Sequence, residues 1–229
     1  MSSLPEAAAA LGPWWFRFEH RGVSFGGAVE RDRAKTDWFF AHVAALGGVP
    51  RRILELGAHE GSHSLQLAAH PEVEEVVALE GRRATLERAR FAQRVFGDRK
   101  IAYREYNLER LEPADFDRPF DAVFCAGLLY HLPRPWDLLG RLPALTRRCL
   151  FLDTHYAAAP EATVEGHPGC WFTEGSDPLS GLSPSSFWLT FADLVRTLDA
   201  HGFAVRYARD MPEFPKGPRA FILAERKGG

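Results

Sequence analysis

The sequence predicts an α/β domain in which helices cover both faces of a parallel sheet. Apolar runs at residues 53–56 and 75–80 are typical of buried strands, and segments with helical spacing separate them. The first run breaks into a loop punctuated by Gly57 and Gly61, and a helix follows that loop. In a parallel sheet of this kind, ligands bind beyond the carboxyl ends of the strands.

The remaining elements are predicted from the same two patterns. Apolar residues at helical spacing predict helices over residues 36–46, 62–69, 84–96, from Pro135 onward and over 187–201. Apolar runs predict further strands over residues 101–106, 121–125, 149–156, 203–209 and 219–225. The expected cap of the last helix is Ser185 or Ser186.

Length and composition are those of one globular domain. The chain has 229 residues, of which 46% are hydrophobic and 25% are charged, and this leaves room for a sizeable core. Its formal net charge of −2 gives no overall attraction to nucleic acid or to an anionic membrane. Apolar runs stay shorter than the roughly 18 residues of a membrane span. We expect neither a membrane protein nor a nucleic-acid binder, and a monomer and a homodimer both remain open.

The cysteines indicate the compartment. Cys125, Cys149 and Cys170 cannot all pair within one chain, and their wide spacing matches no zinc or redox motif. They are interpreted as buried thiols of a reducing compartment, so the predicted location is the cytoplasm.

Two segments lie outside the expected sheet, an N-terminal arm at residues 1–35 and a loop at about 157–186. The arm crowds aromatic residues around Trp15, so it either packs on the domain or forms a lid over the substrate. Its end, residues 31–35, has mixed charge and is interpreted as a solvated face. The loop contains Trp171 and other aromatic residues, which predict that it is ordered and builds a substrate pocket.

The glycine loop suits a nucleoside cofactor that has no pyrophosphate. Glu55 places a carboxylate at the strand end, but the residues after Gly57 do not spell the dinucleotide pattern G-x-G-x-x-G. Glu60 would also repel a pyrophosphate, which disfavours nicotinamide cofactors. Glu80 ends the next strand about 25 residues after Glu55, where an acid can accept hydrogen bonds from both ribose hydroxyls. The alternative for Glu80 is a surface acid at a strand end.

Polar residues also follow the next two strands. Either Asn107 or Glu109 could bind an adenine amino group, or be a plain turn residue. Gly127 lets the backbone approach a ligand, and Tyr130 and His131 follow it at the mouth of the site. His131 is either a general base or a structural residue of the turn.

The strand at 149–156 ends in a further polar group that contains Asp153, His155 and Tyr156. His155 and Tyr156 are candidates for proton transfer or substrate contact, although strand ends also collect polar residues because they meet water. Asp153 and His155 have no third ligand at readable spacing, so no metal site is predicted.

The first loop resembles a known cofactor motif. Its acid and spaced glycines, Glu55, Gly57 and Gly61, resemble motif I of the class I S-adenosylmethionine-dependent methyltransferases. His59 stands where that family has its middle glycine. The resemblance implies S-adenosylmethionine as the cofactor, which is a cation without phosphates.

A second segment, FDAVFCAGLLYHLPRPWDLL at residues 120–139, resembles motif IV and its sequel in the same family. It is also similar to the wobble-uridine tRNA carboxymethyltransferases, whose members use a carboxylated S-adenosylmethionine. The class I resemblance covers about residues 36–225. It implies a Rossmann-like seven-stranded methyltransferase sheet with helices on both faces, in one domain at 36–229 that carries residues 157–186 as an insertion.

The resemblance also implies roles for single residues. It assigns cofactor contacts to Glu55, Gly57, Ala58, Gly61, Glu80, Asn107 and Gly127. The implied chemistry is in-line attack of an acceptor atom on the sulfonium methyl group. The catalytic candidates are His131, His155 and Tyr156. The candidates for acceptor contact are Trp15, Tyr130 and Trp171.

Three functions remain open from the sequence. The leading hypothesis is methyl transfer to an oxygen or nitrogen of a small metabolite or natural product, because the aromatic arm and loop would enclose a compact acceptor. The tRNA-modifying (carboxy)methyltransferase is the second hypothesis. The third is a scaffold protein that binds the cofactor without catalysis, and its motivation is His59 in place of a glycine.

Overall fold

The computed structural model describes residues 2–175 and 179–228. Its helices are α1 (Leu4–Ala9), α2 (Ala34–Val43), α3 (Ser62–Ala68), α4 (Arg83–Phe96), α5 (Pro135–Leu145) and α6 (Phe191–Ala200). Its strands are β1 (Arg17–His20), β2 (Val23–Gly26), β3 (Arg52–Leu56), β4 (Glu75–Glu80), β5 (Ile101–Glu105), β6 (Phe120–Ala126), β7 (Thr146–His155), β8 (Ala162–Val164), β9 (His167–Thr173), β10 (Ser185–Leu189), β11 (Phe203–Met211) and β12 (Arg219–Arg226). Within the described ranges, every helix is too short or too polar to cross a membrane.

Seven strands form one mixed sheet in the order β11-β12-β7-β6-β3-β4-β5. The five strands from β7 to β5 are parallel, and β12 runs antiparallel between β7 and β11. The seven-stranded sheet predicted from the sequence is therefore confirmed. The strand order reverses between β3 and β6, and their carboxyl ends leave a crevice at that point.

Helices cover both faces because successive residues of a strand point to opposite sides of the sheet. On β3, Leu54 and Leu56 join a buried apolar cluster to which α5 and α6 contribute. Ile53 joins the cluster on the other face, to which α2, α3 and α4 contribute. The central strands are buried on both sides, which explains their continuous apolar runs.

The predicted helix over residues 187–201 is wrong at its start. Ser185–Leu189 form β10, which pairs antiparallel with β9, and α6 begins two residues later. Thr190 caps α6, since its side chain accepts a hydrogen bond from the Asp193 N–H at 3.2 Å. The aromatic residues of β10 favour a pleated strand, so the two serines expected as caps lie in the sheet.

The segment at about 157–186, predicted as a loop, contains strands of a small antiparallel sheet. Its strands pair in the order β10-β9-β8, and residues 176–178 lie outside the described part of the chain. Trp171 packs edge-on against Phe187 with ring centroids 5.1 Å apart, and it remains 49% exposed. These short strands were not predicted, because glycine and proline are typical of loops.

The N-terminal arm packs on α4. Arg21 and Gly22 join β1 to β2 with positive φ angles of 51° and 76°, the conformation that a tight hairpin turn requires. Phe18 and Phe25 stack at 5.4 Å in the interior, and Phe25 meets Phe91 of α4 at 5.9 Å. The arm is therefore anchored by buried aromatic rings.

The three cysteines are free thiols. Cys125 and Cys149 are buried in β6 and β7, and burial raises the pKa of each thiol to about 12. Cys170 on β9 is only half-buried. The expectation of buried thiols therefore holds for two of the three.

We predict that Gly61→Ala destabilises the fold through a steric clash. Gly61 has a φ of 80°, and a methyl group there would lie 2.2 Å from Oη of Tyr103. Gly97 has a φ of 70° with nothing within 4 Å of such a methyl group, so Gly97→Ala reports the backbone cost alone, about 1 kcal/mol. Denaturant unfolding should show a larger loss for Gly61→Ala, and adding Tyr103→Phe should restore part of it. Equal losses for the two alanine variants would contradict the clash.

Candidate active site

A cavity of about 480 Å³ opens beyond the carboxyl ends of β3 and β6, within the roughly 300–1,000 Å³ typical of small-molecule sites. The glycine loop after β3 lines it, together with the ends of β4, β5 and β6. Further walls come from Trp15 and Phe16 of the arm, from residues 179–182, and from Phe214 and Arg219. In the described ranges, no three His, Cys, Asp or Glu side chains are grouped to hold a metal ion.

The glycine loop is hydrogen-bonded to the end of β4. The N–H groups of Gly57 and Ala58 donate to the Leu79 carbonyl at 3.0 and 2.8 Å, and the His59 N–H donates to Glu80. These donors are therefore not available to a phosphate, which agrees with the missing dinucleotide pattern. His59 takes the place of a middle glycine by adopting a left-handed φ of 49°, and the loop still lines the cavity.

Glu80 lies in the cavity wall at the end of β4. Its Oε2 accepts from the His59 N–H at 2.9 Å, and its Oε1 accepts from the Arg82 N–H at 2.8 Å. These two bonds fix the carboxylate, and each oxygen keeps a further lone pair. The arrangement offers paired acceptors of the kind that two ribose hydroxyls need.

The two candidates for the adenine contact both line the cavity. Oδ1 of Asn107 accepts from the Glu109 N–H at 3.0 Å and caps a 3₁₀ turn. Oε1 of Glu109 accepts from the Ser183 hydroxyl at 2.7 Å. Both residues thus support the local backbone, and the adenine contact stays a prediction.

Two predicted cofactor residues lie outside the cavity lining. Glu55 is buried beneath the loop, where the Ser64 hydroxyl donates to its Oε2, and burial raises its pKa to about 7. Gly61 leaves space for the Tyr103 ring. The geometry therefore gives both residues a packing role under the loop, and a direct cofactor contact by either stays a prediction.

Glu60 does not face a ligand, contrary to the expectation that it would repel a pyrophosphate. It is 1% exposed, and its carboxylate accepts from the N–H groups of Trp15 and Phe16, each at 2.9 Å. Nε of Arg88 on α4 also donates to it at 3.1 Å. The carboxylate therefore joins the glycine loop to the arm and to α4.

A buried ion cluster lies at the carboxyl end of β7. Asp153 accepts two hydrogen bonds from Arg219, at 2.5 and 2.6 Å, and Nζ of Lys35 lies 2.9 Å from its Oδ2. Burial alone would raise the pKa of Asp153, but the two cations outweigh it and hold that pKa at about 2. The interpretation of residues 31–35 as a solvated face is therefore wrong for Lys35, which lines the cavity.

Three hydrogen-bond donors converge near Gly127. A methyl group on Gly127 would lie 3.8 Å from Nη2 of Arg219, 3.8 Å from Oη of Tyr130 and 3.9 Å from Nζ of Lys35. We call Lys35, Tyr130 and Arg219 the donor cluster. It carries two positive charges, and both cations are paired with the buried carboxylate of Asp153.

His131 lines the cavity in the 3₁₀ turn Leu129–His131. Its Nδ1 lies 3.0 Å from both carboxylate oxygens of Glu174. Burial lowers the pKa of His131, and the hydrogen bond to Glu174 opposes that change. Among the three predicted catalytic candidates, His131 is the one that the fold brings to the cavity.

The other predicted candidates lie outside the lining. The His155 ring stacks on Trp188 at 5.0 Å, behind the donor cluster. Oη of Tyr156, the residue after β7, donates to Oδ1 of Asp210 in β11 at 2.6 Å. Trp171 stands half-exposed on β9. A catalytic or acceptor role for these three residues stays a prediction that the geometry does not favour.

Sequence reasoning missed several cavity residues, Lys35, His63, Arg82 and Arg219. Burial lowers the pKa of His63 to about 3, so its ring stays neutral. A usable signal existed for Arg219, because an arginine that opens an apolar strand needs a buried counter-charge. Residues far apart in sequence supply these groups, so spacing alone does not show that they meet.

Comparison with known proteins identifies the family. A family profile described as a methyltransferase domain matches residues 53–148. The N-terminal domain of EvdMO1 is 31% identical to this chain, and the match covers 98% of this chain and 95% of that domain. The two structures superpose with a TM-score of 0.83. The EvdMO1 structure was determined in the presence of S-adenosylhomocysteine (SAH) and D-fucose. The chain belongs to the class I S-adenosylmethionine-dependent methyltransferases. It spans 47% of the longer EvdMO1 chain.

Two further similarities are narrower. The tRNA U34 carboxymethyltransferase of Campylobacter curvus (strain 525.92) is 32% identical over 95 residues, which are 38% of this chain and 31% of that enzyme. The chain thus spans about a third of that curated relative. The magnesium protoporphyrin IX methyltransferase ChlM of Synechocystis PCC 6803, solved with S-adenosylmethionine, shares the fold at 19% identity and a TM-score of 0.59, over 83% of this chain and 77% of that one. The predicted family, fold and cofactor class are confirmed.

Glu80→Ala should weaken SAH binding by about 1–3 kcal/mol, because hydrogen bonds to a charged carboxylate are lost. Calorimetric titration measures the change, and thermal unfolding shows whether the variant remains folded. The matched control is Glu105→Ala, since Glu105 pairs with Glu80 across β4 and β5 but is exposed outside the cavity. Unchanged affinity in the Glu80 variant would exclude the ribose contact.

Glu55→Gln should remove a pH-dependent loss of stability. The folded pKa of about 7 lies above that of an unfolded glutamate, roughly 4.3. The folded state therefore binds the proton more tightly than the unfolded state. The stability that this proton contributes is fully present below the unfolded pKa and is lost as pH rises through 7. Between pH 5 and pH 8 the free energy of unfolding of the wild type should fall by on the order of 2 kcal/mol relative to the variant. If the stability difference between the wild type and Glu55→Gln were the same at pH 5 and pH 8, the raised pKa of Glu55 would be contradicted.

Proposed function

We propose that the chain transfers a methyl group from S-adenosylmethionine to a hydroxyl oxygen of a small polyhydroxylated acceptor, such as a deoxysugar. The observation that carries the proposal is one cavity with two chemically different regions. Glu80 supplies hydrogen-bond acceptors at the end of β4. The donor cluster supplies hydrogen-bond donors and positively charged side chains near β6 and β7. Since β3 and β6 separate β4 from β7 in the sheet, the two regions suit two different molecules.

The cofactor-binding part follows from the loop. When bound, S-adenosylmethionine supplies a methyl group on a sulfonium, which in-line displacement passes to the acceptor. Glu80 would accept from its ribose hydroxyls, and Gly57 and Gly127 would let the backbone approach it. Trp15 and residues 179–182 would exclude water from the reacting groups.

The donor cluster supports an oxygen-rich acceptor. Lys35 and Arg219 are paired with the buried Asp153, and they can still donate to acceptor hydroxyls. A nearby positive charge favours the ionised form of a hydroxyl and so assists its attack. EvdMO1, whose N-terminal domain was crystallised in the presence of D-fucose, supports a sugar as the acceptor class.

Other observations weigh against a tRNA acceptor. The arm and residues 179–182 narrow the cavity to a size for compact molecules. The formal net charge of −2 provides no general attraction to phosphates, on which tRNA affinity depends. The three free cysteines support a reducing compartment such as the cytoplasm for this reaction.

A second candidate function is transfer of a carboxymethyl group. The observation that favours it is the pair of cations in the donor cluster, Lys35 and Arg219, because they could stabilise a carboxylate on the transferred group. The similarity to a tRNA U34 carboxymethyltransferase supports the same chemistry. The two candidate functions differ in the cofactor that the cavity binds, which is S-adenosylmethionine in the first and a carboxylated S-adenosylmethionine in the second.

The test incubates the chain with S-adenosylmethionine and D-fucose, other deoxyhexoses, their nucleotide conjugates, an aminosugar or unmodified tRNA. We expect SAH and a sugar methyl ether, both detected by mass spectrometry. Lys35→Met should lower turnover by about tenfold or more, since a charge-assisted hydrogen bond is lost. Arg33→Met is the matched control, because Arg33 lies on the same segment but is exposed and pairs with Asp37.

Two outcomes would contradict the proposal. The first is methyl transfer only to tRNA or only to an amine. The second is a carboxymethylated product from a carboxylated donor with no transfer from S-adenosylmethionine, which would establish the second candidate instead.

A further inference from the structure

We propose that Glu174 positions His131 as the general base of this reaction, by holding the ring proton on Nδ1 so that Nε2 takes the proton of the acceptor. The inference rests on the proposed function, because it assumes an acceptor hydroxyl. Glu174 is a positioning residue, since it contacts His131 but is not part of the cavity lining.

The pair is held in a fixed geometry. Nδ1 of His131 lies 3.0 Å from both oxygens of Glu174, and the Glu174 side chain is 2% exposed. The Gly181 N–H donates to Oε2 of Glu174 at 2.7 Å. The backbone N–H of Glu174 donates to the Pro184 carbonyl at 3.0 Å. The carboxylate is therefore restrained through its side chain and through its backbone.

The hydrogen bond fixes the tautomer of His131. A carboxylate only accepts hydrogen bonds, so the proton of the pair lies on Nδ1 of the imidazole. In the neutral ring, Nε2 then carries a lone pair, and no side chain or backbone group of the described residues donates to it. Because His131 lines the cavity, Nε2 is the nitrogen left for a ligand.

The surroundings of His131 lower its pKa and so favour the neutral ring that can accept a proton. Burial is the largest effect and lowers the pKa of His131, and the positive charges of Arg82 and Arg219 lower it further. Glu174 acts in the opposite direction and stabilises the imidazolium once it forms. The Tyr130 ring packs beside the imidazole, with centroids 4.2 Å apart.

His155 cannot take the same role, because both of its ring nitrogens are engaged. Nδ1 lies 3.1 Å from the carbonyls of Gly217 and Pro218, which only accept, so it carries the proton. Nε2 lies 3.0 Å from Nη1 of Arg219, which only donates. The lone pair of His155 is therefore occupied by a cation.

The proton balance is complete with these groups. The acceptor oxygen forms a bond to the methyl carbon, the carbon–sulfur bond breaks, and its electron pair stays on the sulfur of SAH. The hydroxyl proton passes to Nε2 of His131, which leaves an imidazolium paired with Glu174. Solvent takes that proton before the next turnover.

The first test reads the tautomer without an acceptor. Nitrogen-15 NMR of the SAH-bound wild type should show Nδ1 of His131 protonated, and His131→Asn assigns the signal. In Glu174→Gln the amide oxygen should keep the Gly181 N–H bond, so the amide nitrogen would donate to Nδ1 and move the ring proton to Nε2. A wild-type ring protonated on Nε2 would overturn the inference, whatever the acceptor is.

The second test uses the pH profile of methyl transfer. In the wild type, kcat should rise with pH to a plateau as His131 loses its proton. In Glu174→Gln the plateau should fall roughly a hundredfold, the acid limb should move to lower pH, and KM and SAH affinity should change little. Ser183→Ala is the control, because it removes the hydrogen bond to Glu109 in the same segment and leaves the His131 pair intact.

The outcomes separate the two proposals. An unchanged plateau in a folded Glu174→Gln protein, or the same loss in Ser183→Ala, would show that Glu174 only holds the segment. Absence of transfer to any hydroxyl would remove the proposed function and with it the base role of His131. The NMR result would then still report whether Glu174 fixes the tautomer.

Discussion

The buried carboxylate of Asp153 is the constraint on which the site depends. It is fully buried, and an unpaired charge in that place would cost several kcal/mol, roughly the penalty measured for broken buried ion pairs. Lys35 from α2 and Arg219 from β12 satisfy it, so segments from the two ends of the chain must meet at the carboxyl edge of the sheet. Arg219 then occupies Nε2 of His155 and lies over the Tyr130 ring, which orders the cavity wall.

A second buried carboxylate, Glu60, joins distant segments at the glycine loop. Glu60 lies within the glycine loop, yet its partners are the backbone of Trp15 and Phe16 and the side chain of Arg88. The arm is therefore fixed to the loop that it covers, and a shift of one would disturb the other. The two acids therefore link segments of the cavity wall that lie far apart in sequence.

The sequence was informative where a signal is local. Apolar runs identified the sheet, and Glu80 could be placed at the cavity because a strand end and an acid lie together in the chain. The strand at Ser185–Leu189 was missed, since a short aromatic run suits a strand or a buried helix equally well. Lys35 was not recognised as a cavity residue, and Glu174 was not recognised as the partner of His131, because each contacts a residue far away in sequence.

The comparison of the two histidines shows why residue type alone does not define a role. His131 follows β6 and His155 ends β7 at the same edge of the sheet, and Nδ1 of each imidazole lies within hydrogen-bond distance of oxygen atoms. The difference is the second nitrogen, which Arg219 engages in His155 and no described residue engages in His131. Proton transfer requires a lone pair that a ligand can reach, so the hydrogen bond that each ring already makes decides its chemistry. The positive charge of Arg219, which occupies Nε2 of His155, also lies in the cavity wall. In the proposed reaction it would favour deprotonation of the acceptor, and Nε2 of His131 would take the proton.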